Sequence, residues 1–137
     1  MKIVATSGYF DPLHVGHIEL FKLAKGLGDK LVVIVNNNKQ AILKKGHYFM
    51  DEKERMQIIS AIKYVDEVVL CIDEDQSVSK TLAKIKPDIF AKGGDRYSHE
   101  IPEAKICKEL GIKIVDGLGK KIQSSSELEK KAKSYKR

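Results

Sequence analysis

Five short apolar runs, at residues 2–6, 31–35, 66–70, 89–91 and 112–115, are separated by segments whose apolar residues recur at helical spacing. Strands that alternate with helices in this way pair in parallel, because each return crossing needs a helix, and a parallel sheet must be covered on both sides. The pattern predicts an α/β fold: a single-domain, doubly wound, Rossmann-like parallel sheet of five strands with helices on both faces. A chain of 137 residues fits one domain of ordinary size, spanning 1–137.

Ligands of such sheets sit at the carboxyl ends of the strands, so the first strand-to-helix crossing carries most of the information. There the chain reads Ser7-Gly8-Tyr9-Phe10-Asp11-Pro12-Leu13-His14-Val15-Gly16-His17. Gly8 and Asp11-Pro12 suit a turn, and a helix starting at residues 13–15 would leave its first N–H groups facing outward, where phosphate binds. His14 and His17 are three apart and share one face of the first helical turn, with Gly16 leaving the backbone open between them. Two imidazoles can then donate to one polyphosphate. The Gly-x-x-x-x-Gly-Lys-Ser/Thr and Gly-x-Gly-x-x-Gly spacings do not occur here, and the i, i+3 pair is not the His-Glu-x-x-His of a zinc helix.

Four further stretches bear on the same edge. After the second strand, Asn36-Asn37-Asn38 suits a turn, and Lys39, Lys44, Lys45, Gly46 and His47 are expected in a loop from which Lys44 or Lys45 reaches the phosphates. Asp51 to Glu54 reads as a capping box for a helix with an apolar face of Met56, Ile58, Ile59 and Ile62, placing Arg55 near its start. Lys92-Gly93-Gly94-Asp95-Arg96 lets the main chain approach a flat ring, with Asp95 as acceptor and Arg96 as bidentate donor. Ser124-Ser125-Ser126 caps a final basic helix over 124–137 and makes a second phosphate cradle. The acidic run Asp73-Glu74-Asp75 is expected to be a solvated turn rather than a metal site.

The histidine turn resembles the small nucleotidyltransferases with a His-x-Gly-His signature, through Gly8-x-Phe10-Asp11-x-Leu13-His14-x-Gly16-His17. That resemblance implies attack by an acceptor's phosphate oxygen on the α-phosphorus of a nucleoside triphosphate, with release of pyrophosphate. Met50-Asp51-x-x-x-Arg55-x-x-Ile58-Ile59 matches the family helix whose arginine reaches the triphosphate. Lys92-Gly93-Gly94-Asp95 is closer to the heptose-1-phosphate adenylyltransferases than to the Met-Gly-Asp-Asp of the glycerol-3-phosphate cytidylyltransferases, which favours ATP over CTP. A flavin-forming adenylyltransferase is a third reading, and a nucleotide-binding regulator without turnover is the non-enzyme alternative. Where the family has Ile-Ser-Thr-Thr, often preceded by arginine, this chain has Ile122-Gln123-Ser124-Ser125-Ser126, with Lys121 in place of the arginine.

The roles implied are catalytic for His14, His17, Lys44 and Arg55. Ser7, Gly8, Tyr9, Phe10, Gly16, Lys45, Gly93, Gly94, Asp95, Lys121, Ser124, Ser125 and Ser126 are assigned to the nucleotide, and Asp11, Lys92 and Arg96 to the acceptor. Mg²⁺ is expected on phosphate oxygens and water, without a direct protein ligand unless Asp11 serves to orient it. The family implies a homodimer.

Bulk properties set the remaining expectations. No apolar run approaches the length of a spanning helix, and the N-terminus enters a strand without a leader, so a cytoplasmic protein is expected. Cys71 and Cys107 lie far apart and read as small buried residues. The formal charge of +6 gathers toward the C-terminus and suits anionic small molecules; a nucleic-acid partner is not expected.

Overall fold

A computed structural model describes residues 1–93 and 101–118. They form one sheet of five parallel strands, β1 (Ile3–Gly8), β2 (Lys30–Val35), β3 (Glu67–Leu70), β4 (Ile89–Gly93) and β5 (Lys113–Leu118), in the order β3-β2-β1-β4-β5. The strand order reverses at β1, so the crevice for a ligand opens where the chain leaves β1.

Strand periodicity divides the core in two, because successive side chains point to opposite faces. Val4, Leu31, Val33, Val35, Ile89 and Ala91 pack on one face with Phe21 and Ala24 of α1 (Val15–Lys25) and Ile59 of α3 (Glu52–Ser60). Ala5, Ile34 and Phe90 pack on the other with Leu82 of α4 (Ser79–Ile85) and Cys107 of α5 (Ala104–Leu110). Both cysteines are buried and free, as expected for small apolar residues.

Three local expectations need correction. The lysine-bearing segment after β2 is a helix, α2 (Asn38–Lys45), rather than a loop. Asn37 caps it: its side chain accepts from Gln40 N–H, while Gln40 Oε1 accepts from Asn37 N–H at 2.9 Å, and Gly46 closes the far end at φ 82°. The asparagines that suggested a turn are the cap.

At α3, Asp51 accepts from Lys53 N–H at 3.1 Å, but Glu54 does not complete a capping box: Glu52 N–H donates to Asn38 Oδ1 at 2.9 Å, and Glu52 accepts from Asn38 N–H at 2.8 Å. The helix start is thereby clamped to α2, and Ile58 faces outward at 42% exposure. Asp73 is also no solvated residue. It is buried and accepts from Lys80 N–H (2.7 Å), Thr81 N–H (3.0 Å) and Thr81 Oγ1 (2.7 Å), which fixes the start of α4.

Gly94, Asp95, Arg96, Lys121, Ser124, Ser125, Ser126 and the helix expected over 124–137 lie outside the described residues. Among the described residues no helix is long and apolar enough to cross a membrane.

Candidate active site

The crossing from β1 to α1 is held by its two histidines. His14 is the N-cap of α1; its Nδ1 accepts from Gly16 N–H at 3.1 Å, and His17 Nδ1 accepts from His14 N–H at 3.1 Å. The rings stack with centroids 3.9 Å apart. A ring nitrogen that accepts from a backbone N–H carries no proton, so in each neutral ring the proton is on Nε2. Burial, with His14 adding a smaller contribution, lowers the His17 pKa from 6.5 to about 4. His17 is therefore neutral at pH 7 and presents Nε2–H as a donor. The sequence suggested that the backbone N–H groups of this helix start would meet phosphate directly, but Gly16 N–H is taken by the His14 ring.

Phe10 fixes the angle of His17. It is buried, with φ 53°, a left-handed conformation that costs a bulky residue about 1–2 kcal/mol. The turn drives its ring into the core, edge-on to His17 (5.0 Å) and Phe21 (5.3 Å). A Cβ on Gly8 would lie 2.7 Å from Phe10 Cζ, so glycine there makes room for the ring rather than for a sharp bend.

A cavity of about 570 Å³ opens at this edge, lined by Ser7, Gly8, Tyr9, Phe10, Asp11 and His17 from the crossing and by Lys44, Lys45 and Lys92. The structure thus brings together most of the described residues assigned from sequence. Lys44 Nζ stands 4.5 Å above the centre of the Tyr9 ring. Lys45 Nζ donates to Asp11 O at 3.3 Å and lies 4.0 Å from Asp11 Oδ2. The three lysines give the cavity a cationic wall suited to a polyphosphate.

Asp11 and Arg55 are placed differently from expectation. The Asp11 side chain is fully buried, and its oxygens accept from Phe49 N–H and Met50 N–H at 2.7 Å each. It tethers the loop beyond α2 and does not fit as a metal ligand or as a contact for the acceptor. Arg55 is 1% exposed and donates Nε to Met50 O (2.9 Å), Nη1 to Tyr9 O (2.8 Å) and Asn36 O (2.7 Å), and Nη2 to Asn38 Oδ1 (2.9 Å). Its guanidinium joins the ends of β1 and β2 to α3 beneath the cavity instead of reaching into it. Gly93 is likewise used for packing, since a Cβ there would meet Leu20 Cδ1 at 3.2 Å.

Sequence reasoning missed Asn36, Gln76, Val78, Pro102 and Glu103, which form the wall on the α4 and α5 side. Asn36 alone left a signal, as a polar residue immediately following an apolar strand at the ligand-binding edge.

The cytidylyltransferase-like family model matches residues 5–128. The chain belongs to this cytidylyltransferase-like family. It is a nucleotidyltransferase, and the histidine turn is the family signature set in the geometry described above. An FAD synthase of Picrophilus torridus is 33% identical over 135 residues, covering 96% of this chain and 95% of the relative. A bifunctional protein HldE of Koribacter versatilis is 41% identical over 118 residues, covering 83% of this chain but only 24% of that protein. Among solved structures, a lipopolysaccharide core biosynthesis protein from Thermoplasma volcanium superposes with a TM-score of 0.73 at 36% identity, covering 85% of this chain and 95% of that one.

Proposed function

We propose that this cytidylyltransferase-like protein is an adenylyltransferase that joins AMP from ATP to a phosphorylated, hydroxyl-rich acceptor and releases pyrophosphate. The observation that carries the reading is the neutral Nε2–H donor of His17 in one cavity with Lys44, Lys45 and Lys92. Neutral donors and lysines stabilise negative charge as the α-phosphorus is attacked and the leaving pyrophosphate gains charge. An acceptor phosphate is already ionised near neutral pH, so no general base is needed, and alignment of the two substrates supplies much of the rate.

His14 and His17 contact the α- and β-phosphate region, and Lys44 and Lys45 neutralise the departing pyrophosphate. Arg55 and Asp11 act as positioning residues, holding Tyr9, Asn36 and the 47–50 loop. Ser124, Ser125, Ser126 and Lys121 are assigned to the triphosphate tail, and Gly94, Asp95 and Arg96 to the nucleoside and acceptor, on the sequence pattern alone. A Mg²⁺ ion bound with the triphosphate would screen its charge, and Asp11, spent on Phe49 and Met50, would not hold it directly.

Two acceptor classes follow. Lys92-Gly93-Gly94-Asp95 and the HldE match favour a heptose phosphate. The near full-length match to an FAD synthase favours FMN, in which case the product is FAD. The test is pyrophosphate release with each of the four ribonucleoside triphosphates against FMN, a heptose 1-phosphate and glycerol 3-phosphate. ATP with one of the first two should be productive; exclusive use of CTP with glycerol 3-phosphate would refute the adenylyl assignment.

A further inference from the structure

One wall of the cavity is accounted for by neither the histidine turn nor the lysines. At the carboxyl end of β2, Asn36 lines the cavity and is 4% exposed. Its main chain is committed: N–H donates to Gly8 O at 2.9 Å, and its carbonyl accepts from Arg55 Nη1 at 2.7 Å.

The direction of a side-chain amide is set by its bonding partners, and here a chain of bonds sets it. Gln40 is fully buried, with one end of its amide facing two carbonyls, Asp75 O at 2.7 Å and Ser77 O at 2.8 Å. Only an NH₂ group satisfies two carbonyls, so the other end is Oε1. Oε1 accepts from Asn37 N–H at 2.9 Å and faces the Asn36 amide at 3.0 Å, which must therefore present Nδ2 to it. The atom left over is Asn36 Oδ1, an acceptor with no donor among the described residues.

We propose that Asn36 is a specificity-determining residue for the phosphorylated acceptor: Oδ1 takes a hydrogen bond from an acceptor hydroxyl, and so selects acceptors that present a donor at that point. The assignment rests on the adenylyl transfer proposed above. A carbonyl oxygen repels phosphate oxygens, so Asn36 reads the part of a ligand that carries hydroxyl or N–H groups. Its amide leans toward Gln40 and the approach to α4, where Gln76 and Val78 complete the wall, whereas His17 heads α1 on the opposite face of the sheet. Two substrates meeting at the histidines must lie to either side of them. Gly93, Gly94 and Asp95 assign the β4 side to the nucleotide on the sequence pattern, and the Asn36 side is then the acceptor's.

The experiment is steady-state kinetics of Asn36→Ala with ATP and whichever of FMN and a heptose 1-phosphate the wild type uses, with folding checked by thermal melting. Loss of one such hydrogen bond raises KM for the acceptor about tenfold and leaves KM for ATP unchanged. Acceptor analogues lacking single hydroxyls supply the second arm. The wild type discriminates against one of them, and Asn36→Ala treats that analogue and its parent alike. An unchanged acceptor KM, or a rise confined to ATP, overturns the assignment while leaving the function intact. If Asn36→Ala fails to fold, the deoxy series on wild type decides: equal kcat/KM for every analogue overturns it, and a selective loss at one hydroxyl supports it. A wild type that binds ATP yet transfers to neither acceptor refutes the function reading, and the assignment falls with it.

Discussion

His17 Nδ1 accepts a hydrogen bond from the main-chain N–H of His14, so the side chain that faces the cavity also closes the first turn of the helix it sits on. On the proposed function, ligand chemistry and helix capping share one imidazole, which ties protonation of that ring to the integrity of the site.

The pH dependence follows with a definite sign. The folded-state pKa of His17 is lowered from 6.5 to about 4, so between those values the unfolded chain binds a proton that the native protein refuses. The His17 contribution to stability is intact above pH 6.5 and is lost progressively as the pH falls toward 4. ¹⁵N-edited NMR of the imidazoles should show His17 as the Nε2–H tautomer at pH 7, with a midpoint near 4; a midpoint near 6.5 would contradict the capped geometry.

His17→Ala should lower kcat by about 100-fold, the scale of one lost transition-state donor. The same change removes a cap and should cost about 1 kcal/mol of stability. Urea denaturation alongside turnover separates the two effects, since so small a loss leaves the protein folded at 25 °C.

Arg55→Ala should act chiefly on folding. It strips donors from Tyr9 O, Asn36 O and Met50 O, which are left unpaired beneath the cavity, at a cost of about 3 kcal/mol or more. Denaturant titration measures this. A variant of wild-type stability whose only defect is ATP affinity would instead return Arg55 to the triphosphate, where the family pattern put it.

Asp11→Asn should leave the Mg²⁺ concentration for half-maximal rate unchanged, because the Asp11 carboxylate is spent on Phe49 and Met50. Its effect should appear as a lower melting temperature, since an amide offers one acceptor atom to two N–H groups. A selective shift in Mg²⁺ dependence would show that the carboxylate does meet the ion.

Most of the architecture was legible because burial imposes periodicity: Leu31 to Val35, covered on both faces, are apolar without interruption. The histidine turn was legible because its spacing has few structural uses. Less visible were the features that long-range polar bonds decide. Helix α2 offers only Ala41 and Gln40 to the interior, so no apolar stripe announced it. The burial of Asp11, Arg55 and Asp73 depends on partners 39, 46 and 8 positions away, a kind of pairing that local spacing cannot reveal. Asn36 and Gln40 belong to the same class, since the Gln40 amide is set by carbonyls from another segment and sets the Asn36 amide in turn.

The most direct test follows the label from ATP. With ATP labelled at the α-phosphate, the label should pass to the acceptor-linked product, and with ATP labelled at the γ-phosphate it should appear only in pyrophosphate. Label from the γ-phosphate on the acceptor, or release of inorganic phosphate in place of pyrophosphate, would contradict adenylyl transfer at the His14–His17 turn.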